Sequence, residues 1–222
     1  MGRIFVAREQ RLDVDEAKKW GELVVLSSHS GVSKEVDENY GLEPDRIIGQ
    51  IGKKLLTFDP EKDFLLLDGQ LIYNCVAVGI LSLFYDEFHM LVWKKGYCQR
   101  KMDIPVIPKK QSNVMRQSLH WAVNEAHPIK LPDLFYLIDI KTEVDPYDPE
   151  TIWPKILKRG REFSNQDKLI LCGSTAMNIV TTVYLSRRLG EPFTIGLLHH
   201  KTHDYTWRTL TITKEFLRRL CR

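Results

Sequence analysis

Three short stretches of this chain carry residue types that could do chemistry. Cys172-Gly173-Ser174-Thr175 follows an apolar run and opens a helical pattern. A glycine followed by two hydroxyl residues at a helix N-terminus offers free backbone N–H groups and O–H donors, which suit a phosphate or another anion. The same residues also suit a plain tight turn with Ser174 as the helix cap. Asp139-Ile140-Lys141 closes another apolar run. A carboxylate there can hold a divalent metal while the lysine polarises an attacking water, although Asp and Lys alternate at many strand ends. His199, His200, His203 and Asp204 have metal-like spacing. They fall at the tip of an expected hairpin, so they read as a solvated loop and no metal site is assigned. No GxSxG, P-loop or full GxGxxG occurs, which leaves lipase-like, NTPase and dinucleotide-dehydrogenase chemistry without support.

The elements that must position these residues come in two similar series. Four segments recur in the same order: 5–22 on 106–123, 44–55 on 149–160, 63–76 on 167–180, and 88–93 on 193–198. These pairings set Arg8 on Lys109, Gln10 on Gln111, Trp20 on Trp121, Gly69 on Gly173 and Asn74 on Asn178. The chain thus reads as an internal duplication, with domains 1–104 and 105–222 related by a pseudo-two-fold axis. In the first unit the pattern predicts strands at 3–7, 23–28 and 64–69, helices at 13–20, from Pro44, and over 71–85, and a hairpin around Gly96. In the second, Pro105 and Pro108 flank Val106, which predicts either an edge strand or merely an extended segment there. A helix over 112–126 and a buried strand over 134–140 follow. Next come a helix capped by Asp148, a strand over 168–172, a helix after Gly173, a hairpin over 194–212 and a C-terminal helix. Strands alternating with helices give an α/β fold, two duplicated Rossmann-like units with mostly parallel sheets.

Ligands of open parallel sheets bind beyond the carboxyl ends of the strands. That rule selects Arg8, Gln10 and Gly69 in the first unit, and Lys109, Gln111, Gly173, Ser174 and Thr175 in the second. Asp68 beside Gly69 opposes an anion, so the two sites are not expected to be equivalent. Trp20 and Trp121 read as core anchors, and Asn74 and Asn178 as braces of the neighbouring loops. The net charge of +3 permits an anionic ligand but lacks the basic cluster of a dedicated nucleic-acid binder. The four scattered cysteines form no CxxC pair, which argues against zinc and for reduced thiols. No signal peptide is visible, and the longest apolar stretch is too short for a bilayer, so the expectation is a cytoplasmic protein without a membrane.

Three resemblances bear on function. The pattern of the first unit, IFVAREQRLDVDEAKKWGELVVL with FDPEKDFLLLDG and LVWKKGYCQRKMDI, resembles small Rossmann-like proteins of phages and archaeal viruses, whose function it leaves open. It implies a viral protein, and the composition suggests a thermophilic host. The second half, DLFYLIDI with DPYDPETIWPKILKRG and KLILCGSTAMNIV, is similar to CRISPR-associated Rossmann-fold (CARF) sensor domains. That similarity implies cyclic oligoadenylate binding across a two-fold dimer and puts the role on Gly173, Ser174 and Thr175. Those domains carry two glycines in this turn and this chain carries one. Asp139 and Lys141 resemble the D-x-K half of PD-(D/E)xK nucleases, which implies Mg²⁺ or Mn²⁺ and catalytic roles for both.

The reading that follows is a binding protein for a nucleotide-like or nucleic-acid ligand, without a cofactor. The alternatives are a metal-dependent nuclease working through Asp139 and Lys141, of PD-(D/E)xK or ring-nuclease type, and an interaction scaffold with no small ligand. An exposed sheet edge can pair two chains into a homodimer.

Overall fold

The structure is a computed structural model that describes residues 2–8, 14–27, 44–68, 71–109, 117–124, 129, 131, 134–138, 144–198 and 205–220. The chain forms two compact units, residues 1–104 with 214–222, and residues 105–213.

The first unit runs β1 (Arg3–Arg8), α1 (Val14–Lys18), β2 (Glu22–Ser27), α2 (Pro44–Leu55), β3 (Phe64–Leu66), α3 (Leu71–Ser82), β4 (Glu87–Trp93) and β5 (Tyr97–Asp103). Its sheet has the order β2-β1-β3-β4-β5, parallel except for the β4–β5 hairpin. Ile4, Phe5, Val6 and Ala7 are all fully buried, as a strand covered on both faces requires. On one face Ile4, Val6, Leu66, Leu91 and Tyr97 cluster beneath Ala17 of α1, with Trp20 packed against them. On the other, Phe5 meets Phe58 at 5.3 Å between ring centres. The isoleucines of α2 (Ile47, Ile48, Ile51) and Leu55 form one buried stripe, whereas α3 is buried almost all round, the pattern of a core helix. The C-terminal helix (Lys214–Leu220) packs against α2 and sets the Lys214 ammonium 5.6 Å from the Phe84 ring, so it sits with this unit.

The second unit repeats the plan with β6 (His120–Ala122), β7 (Leu134–Tyr136), α4 (Pro149–Arg159), β8 (Lys168–Ile170), α5 (Thr175–Leu189), β9 (Phe193–Leu198) and β10 (Tyr205–Leu210). Its sheet, read from the β7 edge, is β7-β6-β8-β9-β10, again parallel up to a final antiparallel hairpin. The architecture is therefore α/β, with two similar units, each built on a five-stranded mostly parallel sheet. Among the described residues no helix is long and apolar enough to cross a membrane.

Two expectations are corrected and a third is decided. Residues 120–122, assigned above to a helix over 112–126, form β6, inside the sheet between β7 and β8. Of the two readings of Val106, the edge strand is excluded and the strand-free segment holds: residues 104–109 have no regular structure and Val106 is 95% exposed. The run at 134–140, expected to be buried, supplies an edge strand, β7, whose Phe135 is exposed. Trp20 and Trp121 are consequently not equivalent, since Trp20 lies in the turn after α1 and Trp121 is on β6. The other three recurring segments do fall on matching elements: α2 with α4, β3 with β8, and β4 with β9.

What fixes both sheets is a buried carboxylate one residue before the third strand. Asp63 accepts from the backbone N–H of Arg3 and of Asp59, each at 2.8 Å, and from the Arg3 guanidinium at 2.6 Å. Asp167 accepts from the N–H of Leu119 at 3.0 Å, from Ser164 at 2.8 Å and from the Trp121 indole at 3.1 Å. A buried charge persists only when its lone pairs are filled. Each aspartate therefore locks the start of a central strand to the start of its neighbour, and it pulls Trp121 into the core.

Burial pushes the Asp63 carboxyl up, but the hydrogen bonds from Arg3 and Asp59 outweigh it and hold the group below its ordinary value. A depressed carboxyl contributes stability that is present above the unfolded value of about 4 and is lost as pH falls through the folded value. Asp63→Asn is expected to cost roughly 1.5–3 kcal/mol in urea unfolding at pH 7, and less at pH 3. An equal loss at both pH values would contradict this account.

Candidate functional site

In a parallel sheet a crevice opens where successive connections leave in opposite directions, outside the carboxyl ends of two adjacent strands. In the second unit that point lies between β6 and β8. The chain leaves β6 through Val123 and Asn124 and leaves β8 through Leu171, Cys172 and Gly173. These two exits meet. The Cys172 thiol donates to the Asn124 carbonyl at 3.0 Å. Gly173 has φ +85°, and a Cβ on it would land on the Asn124 carboxamide. Only glycine satisfies both the left-handed backbone and the close approach.

From Gly173 the chain turns directly into α5. Ser174 caps the helix from extended backbone, φ −69° and ψ 152°, and its hydroxyl oxygen accepts from the Met177 N–H at 3.2 Å. One turn along, Asn178 is fully buried. Its carboxamide donates to the Cys172 carbonyl at 2.9 Å and to the Ser174 carbonyl at 2.8 Å. Asn178 therefore ties both sides of the turn to the helix, while its own Oδ1 is buried with no hydrogen-bond partner. Asn124 extends the brace, donating to the Met177 sulfur at 3.2 Å.

The result is a rigid, open rim. Gly173 and Thr175 are exposed and Ser174 is half-buried. Of the first-turn donors, Met177 N–H is taken by the Ser174 hydroxyl and Asn178 N–H by the Ser174 carbonyl, which leaves those of Thr175 and Ala176 leading the helix. The positive end of a 15-residue helix is directed here. Burial pushes the Cys172 thiol up, more than its backbone hydrogen bonds to Asn124 and Val123 lower it. The thiol is accordingly neutral at neutral pH and does not oppose an anion. The arrangement can hold a phosphate, a sulfate or a carboxylate.

The first unit differs at the same point. Asp68 follows β3 where Cys172 follows β8, and its carboxylate disfavours an anion. Asn74 matches Asn178 and is equally buried, with an Oδ1 that likewise has no hydrogen-bond partner. Arg8 closes β1 at the strand end. Lys109 is exposed in the irregular segment 104–109, and the strand-end position that it was expected to hold belongs to Asn124. Gln10, Gly69, Gln111, Asp139, Lys141, His199, His200, His203 and Asp204 lie outside the described residues. Among the described residues, no group of three or more His, Cys, Asp or Glu could hold a metal. Asn124 was missed because its segment read as helix, and His120 breaks the apolar run at 119–123 that would otherwise have matched 64–68.

Residues 3–104 match the family described as Phage Pam3 gp32-like protein. No protein of curated function matches the chain. Among solved structures, the chain is similar to the Acinetobacter baumannii Cap4 SAVED/CARF-domain containing receptor, determined with the cyclic trinucleotide 2'3'3'-cAAA. The TM-score is 0.50 at 12% sequence identity, and the match covers 94% of this chain and 51% of that one. The chain thus spans about half the length of that receptor and shares the fold of the part it matches.

Gly173 and Gly190 both have left-handed backbone, φ +85° and +62°, but a Cβ at Gly190 would meet nothing within 4 Å. Alanine at either position carries the left-handed cost of about 1–2 kcal/mol. Gly173→Ala must also displace Asn124, and is expected to lose at least about 1 kcal/mol more than Gly190→Ala, on the scale of a disturbed buried polar contact. Urea unfolding of the two variants checks this, and equal losses would contradict the close approach.

Proposed function

We propose that this protein binds a nucleotide-like ligand, of the cyclic oligonucleotide class, with a phosphate seated on the Gly173-Ser174-Thr175 turn. The observation that carries the reading is the turn itself. A left-handed glycine, a capped helix N-terminus and a buried asparagine brace converge at the crevice between β6 and β8, where ligands of such sheets bind. The shared fold with a receptor solved with a cyclic trinucleotide supports the ligand class. Binding requires no bond to be made or broken. The backbone donors are held in place before the ligand arrives, so little ordering cost is paid on association.

The test is thermal unfolding against ATP, cyclic di- and trinucleotides, and short single- and double-stranded DNA and RNA, with EDTA or with Mg²⁺. A ligand at one hundred times its dissociation constant adds about 2.7 kcal/mol of stability. A shift with one nucleotide class that persists in EDTA is expected. Thr175→Asp, at an exposed first-turn position where a carboxylate suits the helix, should fold normally and bind at least about ten-fold more weakly, the factor given by about 1.4 kcal/mol of repulsion. A panel without any shift would overturn the proposal.

A further inference from the structure

Resting on that reading, we infer that Trp207 is a stacking platform for a purine base of the ligand, with Tyr205, His120 and Lys168 around it. The two aspartate clamps fix which positions of the two sheets correspond. Arg3 and Leu119 donate the same backbone hydrogen bond to Asp63 and Asp167, so Ile4 and His120 occupy equivalent positions. Strand register then pairs Phe64 with Lys168, Val6 with Ala122, and Leu91 with Gly196. In the first unit these positions are Ile, Phe, Val and Leu, sealed by Ala17 and Trp20 into an apolar cluster. In the second they are His, Lys, Ala and Gly. One sheet face is a core, and its counterpart has been rebuilt with an imidazole, an ammonium group and a bare backbone.

Trp207, opposite Gly196 on β10, uses the space that the missing side chain leaves. A Cβ on Gly196 would sit 2.6 Å from its ring, so the indole lies across the sheet. From there it reaches Lys168, whose ammonium is 5.1 Å from the ring centre, and His120, with ring centres 5.6 Å apart and planes at 45°. Tyr205, two residues before it on the same face, is 5.9 Å away at 32°. Trp207, Tyr205, His120 and Lys168 are all partly exposed.

Aromatic rings with a cation beside them recognise nucleobases through their π-faces and phosphates through the charge. The bicyclic indole matches a purine better than a pyrimidine in stacking area. The proposed phosphate turn lies further along the same strand direction, toward the carboxyl ends. Ile170 is level with Gly196, and Gly173 follows three residues later, about 10 Å along the strand direction, the scale of a base and its phosphate together. Tyr205 lies between them. Burial first, and then its neighbours Cys172 and Tyr136, push its phenol up, so it stays neutral beside an anionic ligand.

The test is calorimetric titration of the whole chain and of Trp207→Leu and Trp207→Phe with a cyclic triadenylate, a cyclic triuridylate and inorganic pyrophosphate. Trp207→Leu is expected to weaken the triadenylate by about ten- to one hundred-fold, the range for one stacked base, and to leave pyrophosphate unchanged. Trp207→Phe should retain most of the affinity, and the triuridylate should bind the unaltered protein at least ten-fold more weakly than the triadenylate. Equal triadenylate affinity in the unaltered protein and Trp207→Leu would overturn this inference while the phosphate site stands. Failure of the unaltered protein to bind any of the three probes would overturn the phosphate site, and this inference with it. Should Trp207→Leu not fold, quenching of indole emission by the triadenylate that is absent in Trp207→Phe supports the platform, and identical quenching in both overturns it.

Discussion

Asp167 is wholly buried and accepts hydrogen bonds from Leu119, Ser164 and the Trp121 indole. A carboxylate in that position is tolerable only if every one of those donors is delivered. That requirement sets β6 beside β8 at their N-terminal ends, and parallel pairing carries the alignment to their carboxyl ends. There the chain has no freedom left. Asn124 and Gly173 arrive against each other, and the turn into α5 is fixed by Ser174 and Asn178. The open rim of the candidate site is thus the far end of a structure clamped at its near end by one buried carboxyl group. Asp63 does the same in the first unit with a guanidinium in place of an indole.

The units share this frame and differ in what they put on it. At the strand end, Asp68 in one stands where neutral Cys172 stands in the other. On the sheet face, Ile4, Phe64 and Leu91 give way to His120, Lys168 and Gly196. At each of these positions the second unit has less negative charge or apolar bulk than the first, and has a donor, a cation or a gap instead. Such differences make a poorer core, and they are the reason that the proposed binding site is placed in the second unit.

Much of this frame was legible in the residues. The Asp148-Pro149 helix start, the isoleucine stripe of α2, the glycine-hydroxyl turn and the repeat of Asp63 on Asp167 all act through local chemistry, and local chemistry is written in sequence. What was not legible depended on distant partners. β6 is three residues long and holds a histidine and a tryptophan, with no alternation long enough to read; it is held inside the sheet because Asp167, 46 positions away, accepts a hydrogen bond from the Trp121 indole. Asn124 and Trp207 were hidden for the same reason. Their roles are set by Gly173 and Gly196, residues whose meaning is the space they leave.

The central claim is that a ligand phosphate sits on the turn at the start of α5. The most direct measurement is the set of backbone amide resonances of the isotope-labelled protein during titration with a cyclic triadenylate. The account predicts that the Thr175 and Ala176 amides move most, in step with saturation, and that their hydrogen exchange slows. Saturable binding that leaves those two amides unmoved would contradict it.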